Sequence, residues 1–250
     1  ITFNKNDTDA QGSTADQTYN VEMANAKLNA NGFTHATKDF VGWSLTAGGA
    51  VQFADEAAIE GKLKEAILNS TGTLELFAVW QAKPDVDVVF DPGDGAWNDN
   101  TTGIKTVPTT PGQKAAVPGT VTRPGYEFNG WKSSNEASYP DLGATDNETA
   151  AIKAGESVTY TPIWRAKEYK IRYDQNLTDA TGTVTEQTYV FGTAGATITG
   201  DVFSSPTKKQ LGWSLNAGDT AAGYLPGAVI DTALTDAMLA SSGTVTLYAV

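Results

Sequence analysis

A chain of 250 residues, 40% hydrophobic and 18% charged, is long enough to build globular cores, and an aromatic share of 10% argues against disorder. A net charge of −12 disfavours nucleic acid and anionic bilayers as partners, because both are held by Lys and Arg. Cysteine is absent, which excludes thiol catalysis, disulfides and thiolate metal sites, and no apolar run approaches the ~18 residues of a membrane span.

The chain opens on Ile1-Thr2-Phe3-Asn4, read as a short strand, and a second strand is predicted over Thr18 to Glu22. The stretch carrying Gly42-Trp43 reads as a third. Asp55 suits an N-cap and Gly72 a helix stop; between them Ile59, Leu63 and Ile67 share one face, which predicts a helix. Gly61 inside that span costs about 1 kcal/mol of helix propensity. Leu74, Leu76 and Ala78 then alternate with Glu75 and Phe77, the period of a half-buried closing strand. A second series follows. Val86, Val88 and Phe90 alternate with Asp85 and Asp87, a strand is expected around Phe128 to Trp131, Asn147 to Lys153 carries a weak helical pattern, and Ser157 to Trp164 closes. The third series runs from Ile171-Arg172-Tyr173-Asp174 through a strand at Thr188 to Phe191 and Gly212-Trp213. It continues with a helix from Asp231 to Ala240, Leu234 and Met238 facing inward, and ends on a strand with Val245, Leu247 and Ala249 in register.

The three series are copies of one unit of roughly 84 residues. Gly42-Trp43-Ser44-Leu45-Thr46-Ala47-Gly48 recurs as Gly212-Trp213-Ser214-Leu215-Asn216-Ala217-Gly218 at an offset of 170, with six of seven positions identical. Ala66 to Val79 meets Ala237 to Val250 at an offset of 171 with eight identities in fourteen. The middle copy is more divergent, yet Phe128-Asn129-Gly130-Trp131 matches Phe40-Val41-Gly42-Trp43, and Trp164 takes the place of Trp80. The units are therefore set at 1–83, 84–167 and 168–250. The expected fold class is α+β and β-rich, with the units joined by short, semi-rigid linkers. The chain begins at Ile1, and the third copy stops one position before its own tryptophan would fall, so the sequence reads as a segment of a longer array.

Arg123-Pro124-Gly125-Tyr126-Glu127-Phe128-Asn129-Gly130-Trp131 resembles the centre of the Listeria–Bacteroides repeat, also called the internalin B-repeat, and Thr246-Leu247-Tyr248-Ala249-Val250 comes close to its ending. The first and third copies lack the Pro-Gly-Tyr run, and Gln210 stands where the middle copy has Phe128. The resemblance implies three tandem small β-grasp-like modules in an elongated array, of a kind carried on bacterial surface and secreted proteins, with no catalytic residues to transfer.

Residues able to carry chemistry are few. His35 is the sole histidine and falls in a loop-like stretch, where it reads as a solvated residue rather than a catalytic one. Asp91, Asp94 and Asp99, with Asn98 and Asn100, form an oxygen-rich loop that calcium could use, although its spacing matches no EF-hand. Asp141, Asp146 and Glu148 are a weaker set. Trp43, Trp131, Trp213, Trp80 and Trp164 recur and belong to the core or joints of the repeat. Trp97 has no counterpart in the other copies and sits among polar residues, which makes it the candidate for an exposed partner contact. The expectation is a non-catalytic, monomeric, extracellular stalk or spacer with adhesive contacts, without cofactor, metal, nucleic acid or membrane insertion. The alternative is a recognition module for a host protein or a glycan.

Overall fold

Alternation of apolar and polar side chains needs a sheet with one covered face, and this chain satisfies it three times over. The computed structural model describes residues 1–183 and 186–250. Strand β1 (Thr2–Asn4), the pair β2 (Gln11–Gly12) and β3 (Phe33–Thr34), β4 (Lys38–Ser44), helix α1 (Gly61–Asn69) and β5 (Glu75–Ala82) surround a first core of Leu28, Phe33, Trp43, Ile59, Leu63, Leu76 and Ala78. Strands β6 (Val86–Phe90), β7 (Ala96–Trp97), β8 (Lys105–Thr109), β9 (Lys114–Ala116), β10 (Val121–Thr122), β11 (Tyr126–Ser133), β12 (Glu148–Ala151) and β13 (Val158–Ala166) enclose a second core around Phe90, Trp97, Trp131 and Tyr160. The third core, around Ile171, Tyr173, Trp213, Leu234, Met238 and Leu247, lies under β14 (Glu168–Asp174), β15 (Gln187–Val190), β16 (Trp213–Ser214), α2 (Thr232–Ala240) and β17 (Thr244–Ala249). Among the described residues none is shared between cores.

One strand arrangement recurs. The opening strand runs parallel to the closing strand, in β1–β5, β6–β13 and β14–β17. The strand that carries Gly-Trp lies antiparallel on the far side of the closing strand, in β4–β5, β11–β13 and β16–β17. The second and third sheets add one antiparallel strand beside the opening one, giving the orders β11-β13-β6-β8 and β15-β14-β17-β16. The strand predicted over Thr18 to Glu22 is absent. In the β14–β15 register Ile171 faces Gln187 and each earlier residue faces a later one. Applied to the first sheet, that register sets Gln17 opposite Ile1, where Gln17 N donates to the Ile1 carbonyl at 2.9 Å and the Ile1 ammonium donates to the Gln17 carbonyl at 2.8 Å, and the pairing goes no further. Conversely, β8 forms although its sequence did not suggest a strand; Pro108 fits because β8 is an edge.

The helices follow the pattern in one case out of two. Asp231 caps α2, its carboxylate accepting from Leu234 N at 2.9 Å, and Leu234 and Met238 are fully buried. Helix α1 starts later than expected, at Gly61 behind Glu60, with no side-chain cap. Asp55 instead accepts from the backbone of Asn31 and Glu56, and Glu56 adopts a φ of 51° that no α-helix tolerates. Ile59 is buried, but its N–H bonds Ala26 across the loop at 2.7 Å rather than a helical carbonyl. Asn147 to Lys153 is not helical either; β12 occupies it and pairs with β9.

The joints are short. Three residues, 83–85, separate β5 from β6, and Lys167 alone separates β13 from β14. Lys83 N donates to the Thr37 carbonyl at 3.0 Å, and Lys167 N donates to the Gly125 carbonyl at 2.9 Å, so each joint is tied to the unit before it. The second joint is also aromatic: Phe191 lies against Gly125 and meets Tyr126 edge-on at 5.6 Å. Gly125, in the Pro-Gly-Tyr run, has φ +79° and leaves the space that the Phe191 ring fills.

Candidate functional site

The tryptophans set the frame. Trp43, Trp131 and Trp213 are each at most 1% exposed. Each exchanges two backbone hydrogen bonds with a residue of the following loop, Phe53, Leu142 and Tyr224, at 2.7–3.1 Å. The glycine before each tryptophan has φ between +118° and +156°, and a Cβ on it would meet the carbonyl oxygen of that same loop residue. Gly-Trp is thus a packing pivot: glycine lets the loop backbone close on the strand, and the indole fills the core beneath. Trp80 and Trp164 are half-buried at the ends of the closing strands.

Trp97 is fully buried, which corrects the expectation of an exposed contact. It stacks obliquely on Trp131 at 5.6 Å, and its Nε1–H donates to the Gly103 carbonyl at 2.8 Å. On β7 it pairs with Val121 of β10. The equivalent pair in the first core is Gly12 with Phe33, and in the third core Gly182 lies against Phe203. The second core therefore supplies its large ring from the opposite strand of the same small pair.

His35 is likewise buried, its side chain 5% exposed, and not the solvated loop residue expected. Its Nδ1 accepts from Thr37 N at 3.1 Å, so a neutral ring carries its hydrogen on Nε2. That Nε2 lies 3.5 Å from Asp7 Oδ1 with no hydrogen-bond partner. Lys38 Nζ, 2.7 Å from the other Asp7 oxygen, holds the Asp7 carboxyl at about 2, well below its usual value. Asp7, Asp9 and His35 form a group whose potential ligand atoms lie within 4.8 Å of one another. As a metal site the group has two faults. The histidine nitrogen facing Asp7 carries a proton, and an ammonium already neutralises the carboxylate.

The acidic loop of the second unit does not converge. Asp91 accepts from Gly93 N at 2.9 Å, a turn that Asn4 and Asp174 repeat with Asn6 and Asn176. Asp94 faces Arg123 at 3.0 Å. Asp99 binds the Thr101 hydroxyl and N–H and Lys105, which together hold its carboxyl far below the usual range. Asp141, Asp146 and Glu148 are equally dispersed: they accept from Ser133 N, Gly143 N and Lys114 respectively. Among the described residues these carboxylates serve turns and ion pairs.

A concavity of about 430 Å³ lies at the end of the third unit, bordered by Phe203, Gln210, Leu211 and Val250. No motif in the sequence announced it. Among the described residues no helix is long and apolar enough to cross a membrane. The chain matches no known protein family, no curated protein and no solved structure.

Proposed function

We propose that this chain is a non-catalytic array of three tandem β-grasp-like modules that serves as a stalk or spacer on a bacterial cell-surface or secreted protein. The observation that carries the reading is the surface area. The chain exposes 13941 Å². A single compact body of its 26.3 kDa would expose ~10,600 Å², whereas three separate bodies of one third that mass would expose ~14,300 Å². The three units thus hide little of themselves from solvent, and their separate cores and tied joints suit a string of beads with restricted bending. The parallel pairing of opening and closing strands, with the Gly-Trp strand outside, supports the β-grasp-like reading. Acidic, soluble surfaces and modest inter-unit contact are what a spacer needs. The recognition alternative drew on Trp97 and on the acidic loop of the second unit; Trp97 is buried, and Asp91, Asp94 and Asp99 are engaged in turns and ion pairs.

Small-angle scattering tests the spacer. Three bodies in a row about 30 Å apart give a radius of gyration of roughly 27 Å, against about 18 Å for one compact body of this length. A value near the lower figure overturns the proposal.

A further inference from the structure

The run Arg123-Pro124-Gly125-Tyr126, which sets the middle unit apart in the sequence, lies at the second joint. Tyr126 N donates to the Arg123 carbonyl at 3.1 Å around Gly125 at φ +79°, a type II turn with proline and glycine at its two central positions. The turn offers the third unit two holds. The Gly125 carbonyl accepts from Lys167 N at 2.9 Å, and the missing side chain leaves a socket for the Phe191 ring, which a Cβ on Gly125 would overlap. Tyr126 meets Phe191 edge-on at 5.6 Å, and the Arg123 guanidinium lies 4.1 Å over the Tyr126 ring while facing Asp94 at 3.0 Å. From the third unit, Phe191 N donates to the Lys167 carbonyl at 2.9 Å. The one linker residue is thus bonded to the unit on either side of it.

At the first joint the same positions are filled differently. Thr37 stands for Gly125, since it accepts from Lys83 N as Gly125 accepts from Lys167 N, and Lys38 stands for Tyr126. Lys38 turns to Asp7 of its own unit, 2.7 Å away. Lys83 Nζ also turns back, to the His35 and Ala36 carbonyls at 3.4 and 3.1 Å. In the second unit Pro111 follows by four residues Val107, which faces Val88; in the third, Phe191 follows by four residues Gln187, which faces Ile171. Pro111 therefore takes the place of Phe191, and it has no N–H to return to the linker and no aromatic ring to insert. The second unit approaches through Gly112, where a Cβ would come 2.8 Å from the Ala36 carbonyl oxygen. The linker, residues 83–85, is three residues long instead of one.

We propose that the Pro-Gly-Tyr turn and Phe191 form a clamp that fixes the angle between the second and third units, and that the chain bends instead at residues 83–85. The clamp is directional: a ring in a socket and two linker bonds restrict rotation about Lys167 without merging the two cores. It goes beyond the spacer reading, and the two fail separately, since a small radius of gyration overturns the spacer while the clamp is read from the spread of distances across each joint. The absence of cysteine lets nitroxide labels be placed in pairs on the whole protein. Lys62→Cys with Lys114→Cys spans the first joint and Lys114→Cys with Asp236→Cys the second, all at exposed positions. Pulsed dipolar EPR should give a distance distribution across the second joint at most about half as wide as that across the first. Phe191→Ala and Gly125→Ala disturb the socket from opposite sides, and each should widen the second distribution to match the first, with dispersed amide signals showing that both units stay folded. The comparison of the two joints without either variant decides the matter even where a variant fails to fold. Equal widths in that comparison, or a second distribution that both folded variants leave unchanged, overturn the proposal.

Discussion

The residues that matter most here are those where backbone meets backbone. Gly130 has φ +118°, and a Cβ there would strike the Leu142 carbonyl. Gly130→Ala should therefore destabilise the second core by about 2 kcal/mol or more. Gly218→Ala, where a Cβ meets nothing, should stay within about 0.5 kcal/mol. Urea unfolding of the two variants checks this; equal losses would mean that the pivot tolerates a side chain. Trp97 allows a sharper test, because it and Val121 exchange the roles that Gly12 and Phe33 play in the first core. Trp97→Gly should cost about 3–5 kcal/mol by leaving a cavity, and Val121→Phe about 1–3 kcal/mol by overpacking. The double variant should be at least about 1 kcal/mol more stable than the sum of the two losses predicts. Additive losses would show that the two strands do not share one packing space. The exchange also explains why Trp97 misled as a sequence feature. Alignment by position finds no counterpart for a ring that is conserved in place but delivered from the opposite strand, and its polar neighbours on the loop say nothing about where the indole points.

At the scale of elements, periodicity was legible where packing alone decides and illegible where pairing across the chain intervenes. Leu76, Ala78, Val88, Phe90 and Leu247 are all buried as their alternation requires. The start of α1 was not legible, because the backbone of Ala57 and Ile59 is taken by the loop at Ala26 to Leu28, a tertiary bond that no local pattern reports. Ile59 kept its place in the apolar stripe and its burial, but left the helix. β8 and β12 were missed because Pro108 argues against a strand and Asn147 to Lys153 has a helix-like spacing, yet both segments find sheet partners. The cap of α2 was legible because Asp231 acts within its own turn. Asp231→Ala should destabilise the third unit by about 1 kcal/mol, and Glu60→Asp should stabilise the first by a few tenths of that by supplying the cap α1 lacks. Chemical denaturation of each variant measures both; a neutral Asp231→Ala would remove the cap as a contributor.

At the scale of the molecule, three cores with no residue in common among those described raise the question of how far one unit can fail alone. Among the described residues the joints supply a few backbone bonds, the close approach of Gly112 to Ala36 at the first and the Phe191 ring at the second, so the coupling between units is small compared with the loss of a core tryptophan. Trp131→Ala removes the centre of the second core, at about 3–5 kcal/mol, which is close to all that a domain of this size holds. The first unit should nevertheless stay folded, and the molecule offers a clean reporter of it. His35 is the single histidine, is buried, and rests 5.5 Å from Trp80, so its ring protons carry a shift that only the folded first unit produces. The NMR spectrum of Trp131→Ala should keep that shift while the second-unit amides collapse toward random-coil values. If the His35 signals move with them, the three units unfold as one body, and the surface that makes them look separate conceals a cooperative joint. The stalk reading would then need a rigid rod in place of a string, because a unit that cannot fail alone cannot bend alone either.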